Sequence, residues 1–175
     1  MENSVKSSAI NYGLYLGGAL SLITVAIYAI DLGLMVNMWL GIALLIAIVA
    51  FGVVSTSKSK SILSGFISFK QAFSSYFITV AIGIIISTVV SAILFNFIDP
   101  DAALFIKEKT VETTISMMEG FNAPAEAIAE AVEKIENQNQ YGFASILKSL
   151  AWGLLFQSII GLIVAAIMKK TNPDA

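Results

Sequence analysis

Glu126 and Glu130 stand four residues apart, and carboxylates at that spacing share one helical face. Such a pair can hold a divalent cation or relay a proton. Calcium takes about six to eight oxygens at fixed positions, and no EF-hand-like spacing surrounds these two. Nothing in the adjacent sequence builds a pocket that would shift a carboxyl pKa. The pair therefore reads as a solvated helix face. The chain contains no His, Cys or Arg, and all ten basic residues are Lys. That composition removes thiolate and Ser-His-Asp nucleophiles, Cys/His zinc sites, His-ligated haem and bidentate guanidinium clamps. No cluster gathers the remaining carboxylates, Lys, Ser and Tyr. The expectation is a non-enzyme with no catalytic residue, no cofactor and no metal. A net charge of −2 also gives no pull toward nucleic acid.

The polar groups inside the apolar runs are weaker and differently placed. Thr79, Gly83, Ser87 and Ser91 recur every four residues, a small and mildly polar stripe flanked by Ile and Val. In lipid such a stripe is a packing face against another helix; the other reading is the wall of a narrow hydrated path. No charge joins it, which favours packing. Gly13 and Gly17 form a GxxxG pair that Ser21 continues, and the plain alternative there is that Gly is common in membrane helices. Gln157 sits halfway down the last apolar run, where an amide needs a partner on a neighbouring helix. Gly161 and Ala165 add a further small pair to the same run.

These residues need long apolar elements to position them. Of 175 residues, 57% are hydrophobic and only 13% charged, against about 25% charged in soluble domains. The excess is gathered into blocks. The pivotal block has an aromatic cluster (Phe66, Phe69, Phe73, Tyr76, Phe77), a charge-free run from Gln71 to Ile98, and an abrupt Asp-Pro-Asp. Some twenty apolar residues in a helix span roughly 30 Å, one hydrocarbon core. Aromatic groups at both ends suit the two headgroup levels. The fold expected is all-α, a single membrane domain over residues 1–175 with spans near 9–30, 34–54, 72–98 and 149–168. The first run is too long for a signal-peptide core and reads as an uncleaved helix. Residues 55–70, with three Lys and no acid, read as a polar connection ahead of the third span; a short interfacial segment is the alternative.

Residues 99–148 form the one sizeable polar part, an amphipathic helical insert with nine acidic residues against four Lys. Asp99 can cap a helix, Pro100 suits its first position, and Asp101 favours its positive end. Gly120 should end that helix, and Asn122 should cap the next. With four spans, Lys6, Lys58, Lys60, Lys70, Lys169 and Lys170 share one side. By the positive-inside rule both termini are then cytoplasmic and the acidic insert lies outside.

The stretch GFISFKQAF, the apolar span after it and the closing NFIDPD resemble a family of small bacterial membrane proteins known as domain of unknown function DUF4199. The opening NYGLYLG and the basic MKK near the end fit the same family. The resemblance implies four spans, a polar insert before the last, and residence in the bacterial inner membrane. It implies no activity and no functional residue. Two classes of function remain. One is a structural or assembly component whose partners are the bilayer and either copies of itself or another membrane protein. The other is a transporter or channel component, disfavoured because no span carries a charge in its middle.

Overall fold

The charge-free run from Ser7 and the polar residues before it fold together into α1 (Glu2–Ile30). The computed structural model describes residues 2–171; of the closing TNPDA, which its composition marks as a short mobile tail, all but Thr171 lies outside the described residues. Asp31 ends α1 and caps a short 3-10 turn, Leu32–Val36, by accepting from Gly33 N at 2.8 Å. Asn37 then caps α2 (Met38–Ile62), accepting from Leu40 N at 3.1 Å. The chain leaves α2 through Ser64 and Gly65, both in the left-handed region at φ 58° and 88°. Ser68 and Gln71 form a reciprocal capping box that starts α3 (Phe69–Ile93). A π-helical turn, Leu94–Ile98, extends α3 to the Asp-Pro-Asp break. Asp99 starts α4 (Pro100–Gly120) by accepting from Ala102 N at 3.0 Å. A tight reversal leads to α5 (Ala125–Glu136), and α6 (Phe143–Met168) closes the fold.

The described residues form no strand, and the four helices α1, α2, α3 with its π-turn, and α6 are long and apolar enough to cross a membrane. α3 packs against all three other spans, whereas among the described residues no Cα of α1 comes within 8 Å of a Cα of α6. The bundle is thus built around α3. One end holds Lys6, Lys60, Lys70 and Lys170. There Ile67 and Lys170 exchange backbone hydrogen bonds at 3.0 and 2.9 Å, and Lys60 Nζ donates to Met168 O at 3.0 Å. The other end carries the α4–α5 hairpin. It is seated by a cluster of Leu94, Phe95, Ala102 and Ile106, against which Tyr28, Leu32 and Tyr141 pack.

The helices depart from the expected spans at five boundaries. α1 begins at Glu2 rather than near residue 9, α2 at Met38 rather than 34, α3 at Phe69 rather than 72, and α6 at Phe143 rather than Ser149. The supposed connection after residue 54 is helical to Ile62, because Ser55, Thr56 and Ser59 face inward and find oxygen partners there. Its lysines stay outside that seam: Lys58 is exposed and Lys60 reaches the end of α6. Polar composition suggested a loop, but the i, i+4 placement of those hydroxyls suits a helix interface. Asn122 is not a cap. It takes the left-handed conformation at φ 55°, and Pro124 holds the cap position of α5 without a side-chain bond. An Asn tolerates that conformation well, so it serves the reversal instead.

Candidate functional site

Tyr76 is the centre of the bundle. The sequence places it among headgroup-level aromatics, yet it is 0% exposed. Two glycines make room for its ring. A Cβ on Gly52 of α2 would lie 2.4 Å from Tyr76 Cε2, and one on Gly161 of α6 would lie 2.7 Å from Cδ1. Its hydroxyl donates to Gln157 Oε1 at 2.9 Å. Gln157 thus finds the partner that lipid would deny it, and three spans are joined through one side chain. The only advance signal was a polar-tipped aromatic one helical turn from Ala72 and one from Val80, facing inward on a helix packed on every side.

One turn further along α3, Thr79 donates to Ser55 Oγ at 2.7 Å, and its hydroxyl also lies 3.0 Å from the carbonyl of Ala9. Ser75 lies 2.7 Å from Ser59 through their hydroxyls, and 3.5 Å from Ser55. This hydroxyl seam holds α1, α2 and α3 together at the Lys-rich end. The glycines of α1 complete the contact. A Cβ on Gly13 would lie 2.8 Å from Ile82 Cβ and 3.0 Å from the Thr79 carbonyl; one on Gly17 would lie 2.8 Å from Ile86 Cβ. Gly83 faces back toward α1, its Cβ position 2.5 Å from Leu16 Cδ2. Ser21, which continues the GxxxG face, has the one buried side-chain oxygen without a partner among the described residues.

The stripe on α3 is therefore divided. Thr79 and Gly83 are buried against neighbouring helices. Ser87 and Ser91 instead line a groove of about 280 Å³ between α3 and the start of α6, beside Thr88 and Tyr141. Positions four apart advance about 40° around a helix of 3.6 residues per turn. Four such positions turn through about 120°, too far to meet one neighbour.

Residues 11–170 match the family described as "Protein of unknown function (DUF4199)". The chain belongs to DUF4199. No curated protein and no solved structure matches it. The DUF4199 match takes in every packing residue named above from Gly13 to Gly161, and it ends at Lys170, the residue bridged to Ile67.

At the hairpin end of this DUF4199 chain, Asp99 does more than cap α4. Tyr28 of α1 donates to its Oδ2 at 2.8 Å, tying the hairpin to the first span. The Ala102 N–H, and then the Tyr28 hydroxyl, hold the Asp99 carboxyl below the usual carboxylate value. Tyr141 stacks on Phe95 with ring centroids 4.6 Å apart, and burial pushes its phenol up to about 12. It stays protonated at neutral pH and serves as packing. Glu130 is exposed and paired with Lys134 at 2.6 Å, and that bond lowers its pKa. Glu126 is exposed as well, and no metal-holding group of acids exists among the described residues.

Proposed function

We propose that this DUF4199 chain is a non-enzymatic structural component of the bacterial cytoplasmic membrane, assembling with copies of itself or with another membrane protein. One observation supports this reading above the rest. Most of the polar side chains buried among the spans bond to neighbouring helices: Tyr76 to Gln157, Thr79 to Ser55 and the Ala9 carbonyl, Ser75 to Ser59; Thr56 turns back to Gly52 of its own helix. Transport sites commonly keep ionisable residues or unwound backbone at mid-depth, and these spans are continuous there. The gathering of Lys6, Lys58, Lys60, Lys70, Lys169 and Lys170 toward one end supports cytoplasmic termini and an outer hairpin.

The test is photocrosslinking in native membranes from the lipid-facing side of α6, at Leu155, Ile159 and Leu162, all exposed. A protein adduct of one discrete mass is expected, and adducts to lipid alone at all three positions would overturn the assembly reading. The groove beside Ser87 and Ser91 favours a second reading, a transporter or channel component, since hydroxyls there face an open cleft. Solute or ion flux in proteoliposomes that Ser87→Leu abolishes would establish that reading instead.

A further inference from the structure

At the Lys-rich end a groove of about 250 Å³ runs between α1 and α3. No residue of α2 or α6 lines it, so it opens away from the bundle. Its mouth carries Lys6 from α1 and Lys70 from α3, both exposed. No carboxylate lines it among the described residues. Lys70 stands in the first turn of α3, where the helix dipole favours an anion and no acid is present. The same turn presents Gln71, whose Oε1 already accepts from Ser68, leaving its amide N–H groups to donate. Ser74 adds a hydroxyl just below. Val5 lies beside Lys6, the buried Ser75 hydroxyl is engaged with Ser59, and deeper in the wall becomes apolar with Ala9 and Ile78. From Lys70 to Ile78 the groove descends about 12 Å along α3, from the headgroup level into the hydrocarbon.

Cations and amide donors at the mouth, and an apolar floor below, complement an anion that carries an acyl chain. We infer that this groove is a binding site for an anionic phospholipid of the same leaflet. Its phosphodiester meets Lys6, Lys70 and the Gln71 amide, and its first methylenes lie along Ile78. Basic pockets between membrane helices recognise lipid headgroups in this manner, and the hydroxyl of Ser74 reaches the ester region. The site is separate from the Ser87/Ser91 groove at the other end and does not depend on what the protein assembles with.

The experiment uses the full chain, delipidated and returned to phosphatidylcholine nanodiscs, with phosphatidylglycerol titrated in. Retention is read by native mass spectrometry and by the rise in Tm. The unsubstituted chain should retain phosphatidylglycerol and gain Tm. K6Q/K70Q should lose affinity about 30-fold, the loss of two surface lysines near an anionic headgroup. K58Q/K169Q, which changes two lysines that do not line the groove, should bind as before. Equal loss in both double variants would overturn the site and leave only a diffuse surface field. Inorganic phosphate raising Tm as much as the lipid would overturn the lipid reading in favour of a free-anion site. Should K6Q/K70Q fail to fold, photoactivatable phosphatidylglycerol on the unsubstituted chain still decides. Labels mapping to residues 5–9 and 70–78 support the proposal, and labels elsewhere overturn it.

Discussion

Gly17 and Gly18 are neighbours in α1 with opposite surroundings, and that contrast makes a sharp test of the α1–α3 seam. A Cβ on Gly17 would lie 2.8 Å from Ile86 Cβ, 2.9 Å from its Cδ1 and 3.0 Å from its Cγ2; one on Gly18 meets nothing within 4 Å. Carbon atoms prefer about 3.5–4.0 Å, so Gly17→Ala must push the helices apart by about 1 Å. Ile86 cannot swing clear, because its Cβ is fixed to the backbone and its χ1 is stiff. Overpacking of this kind costs about 1–3 kcal/mol. Each Gly→Ala change also gains about 0.5–1 kcal/mol of helix preference. Gly18→Ala should therefore stabilise by up to about 1 kcal/mol, while Gly17→Ala is neutral to about 2.5 kcal/mol destabilising. The helix-preference gain cancels in the difference, leaving a gap of about 1–3 kcal/mol that reports the collision alone. Equilibrium unfolding in mixed detergent micelles, titrated with a denaturing detergent, measures it. A gap under about 0.5 kcal/mol, near the limit of additivity, would refute the close approach of α1 and α3.

Four further predictions concern the Tyr76 hydrogen bond, the Asp99 cap, its Tyr28 partner and the topology. In a double-mutant cycle of Tyr76→Phe and Gln157→Leu, the coupling energy should be about 0.6 kcal/mol and no more than about 1.7, the range for hydrogen bonds between membrane helices; zero coupling would mean the hydroxyl and amide do not meet. Asp99→Ala should destabilise the hairpin at neutral pH. Because the folded carboxyl is held below the ordinary value of 3.8, the difference from the unsubstituted chain is full above that value and fades as pH falls through the depressed one; a pH-independent difference in thermal unfolding would contradict this. Tyr28→Phe removes the second partner of Asp99 and should shift the same transition toward the ordinary value. Single cysteines at Ser61 and Asn137, both exposed, should label from opposite sides of the membrane, and labelling from one side would sink the four-span topology.

Composition and run length alone determined the class of this protein. Four blocks too apolar for a soluble chain, separated by Asp31, by the Lys-bearing segment and by Asp99-Pro100-Asp101, suffice for a four-span helical bundle. The Asp99 cap was legible for the same reason, as a local rule about one helix, whereas the GxxxG spacing of Gly13 and Gly17 fitted both a close approach and the plain abundance of Gly in membrane helices. Tertiary structure decided the rest. Nothing local says that Tyr76 sits between Gly52 and Gly161, because those residues lie on three helices whose meeting depends on how all of them tilt. The segment after Val54 looked like a loop by composition, and only the hydroxyls of Ser75 and Thr79 on α3 make its serines an interior face. The Thr79–Ser91 stripe had the right spacing but too much length. A helix turns faster than an exact four-residue repeat, so which end met a neighbour and which met open space depended on where α1 and α6 stand. Lys6 and Lys70, far apart in sequence, became the mouth of one groove only when α1 lay against α3. In lipid the hydrophobic pattern places residues within the bilayer but says little about which helix faces which, and that choice rests on small-residue fit and a handful of hydrogen bonds between distant positions.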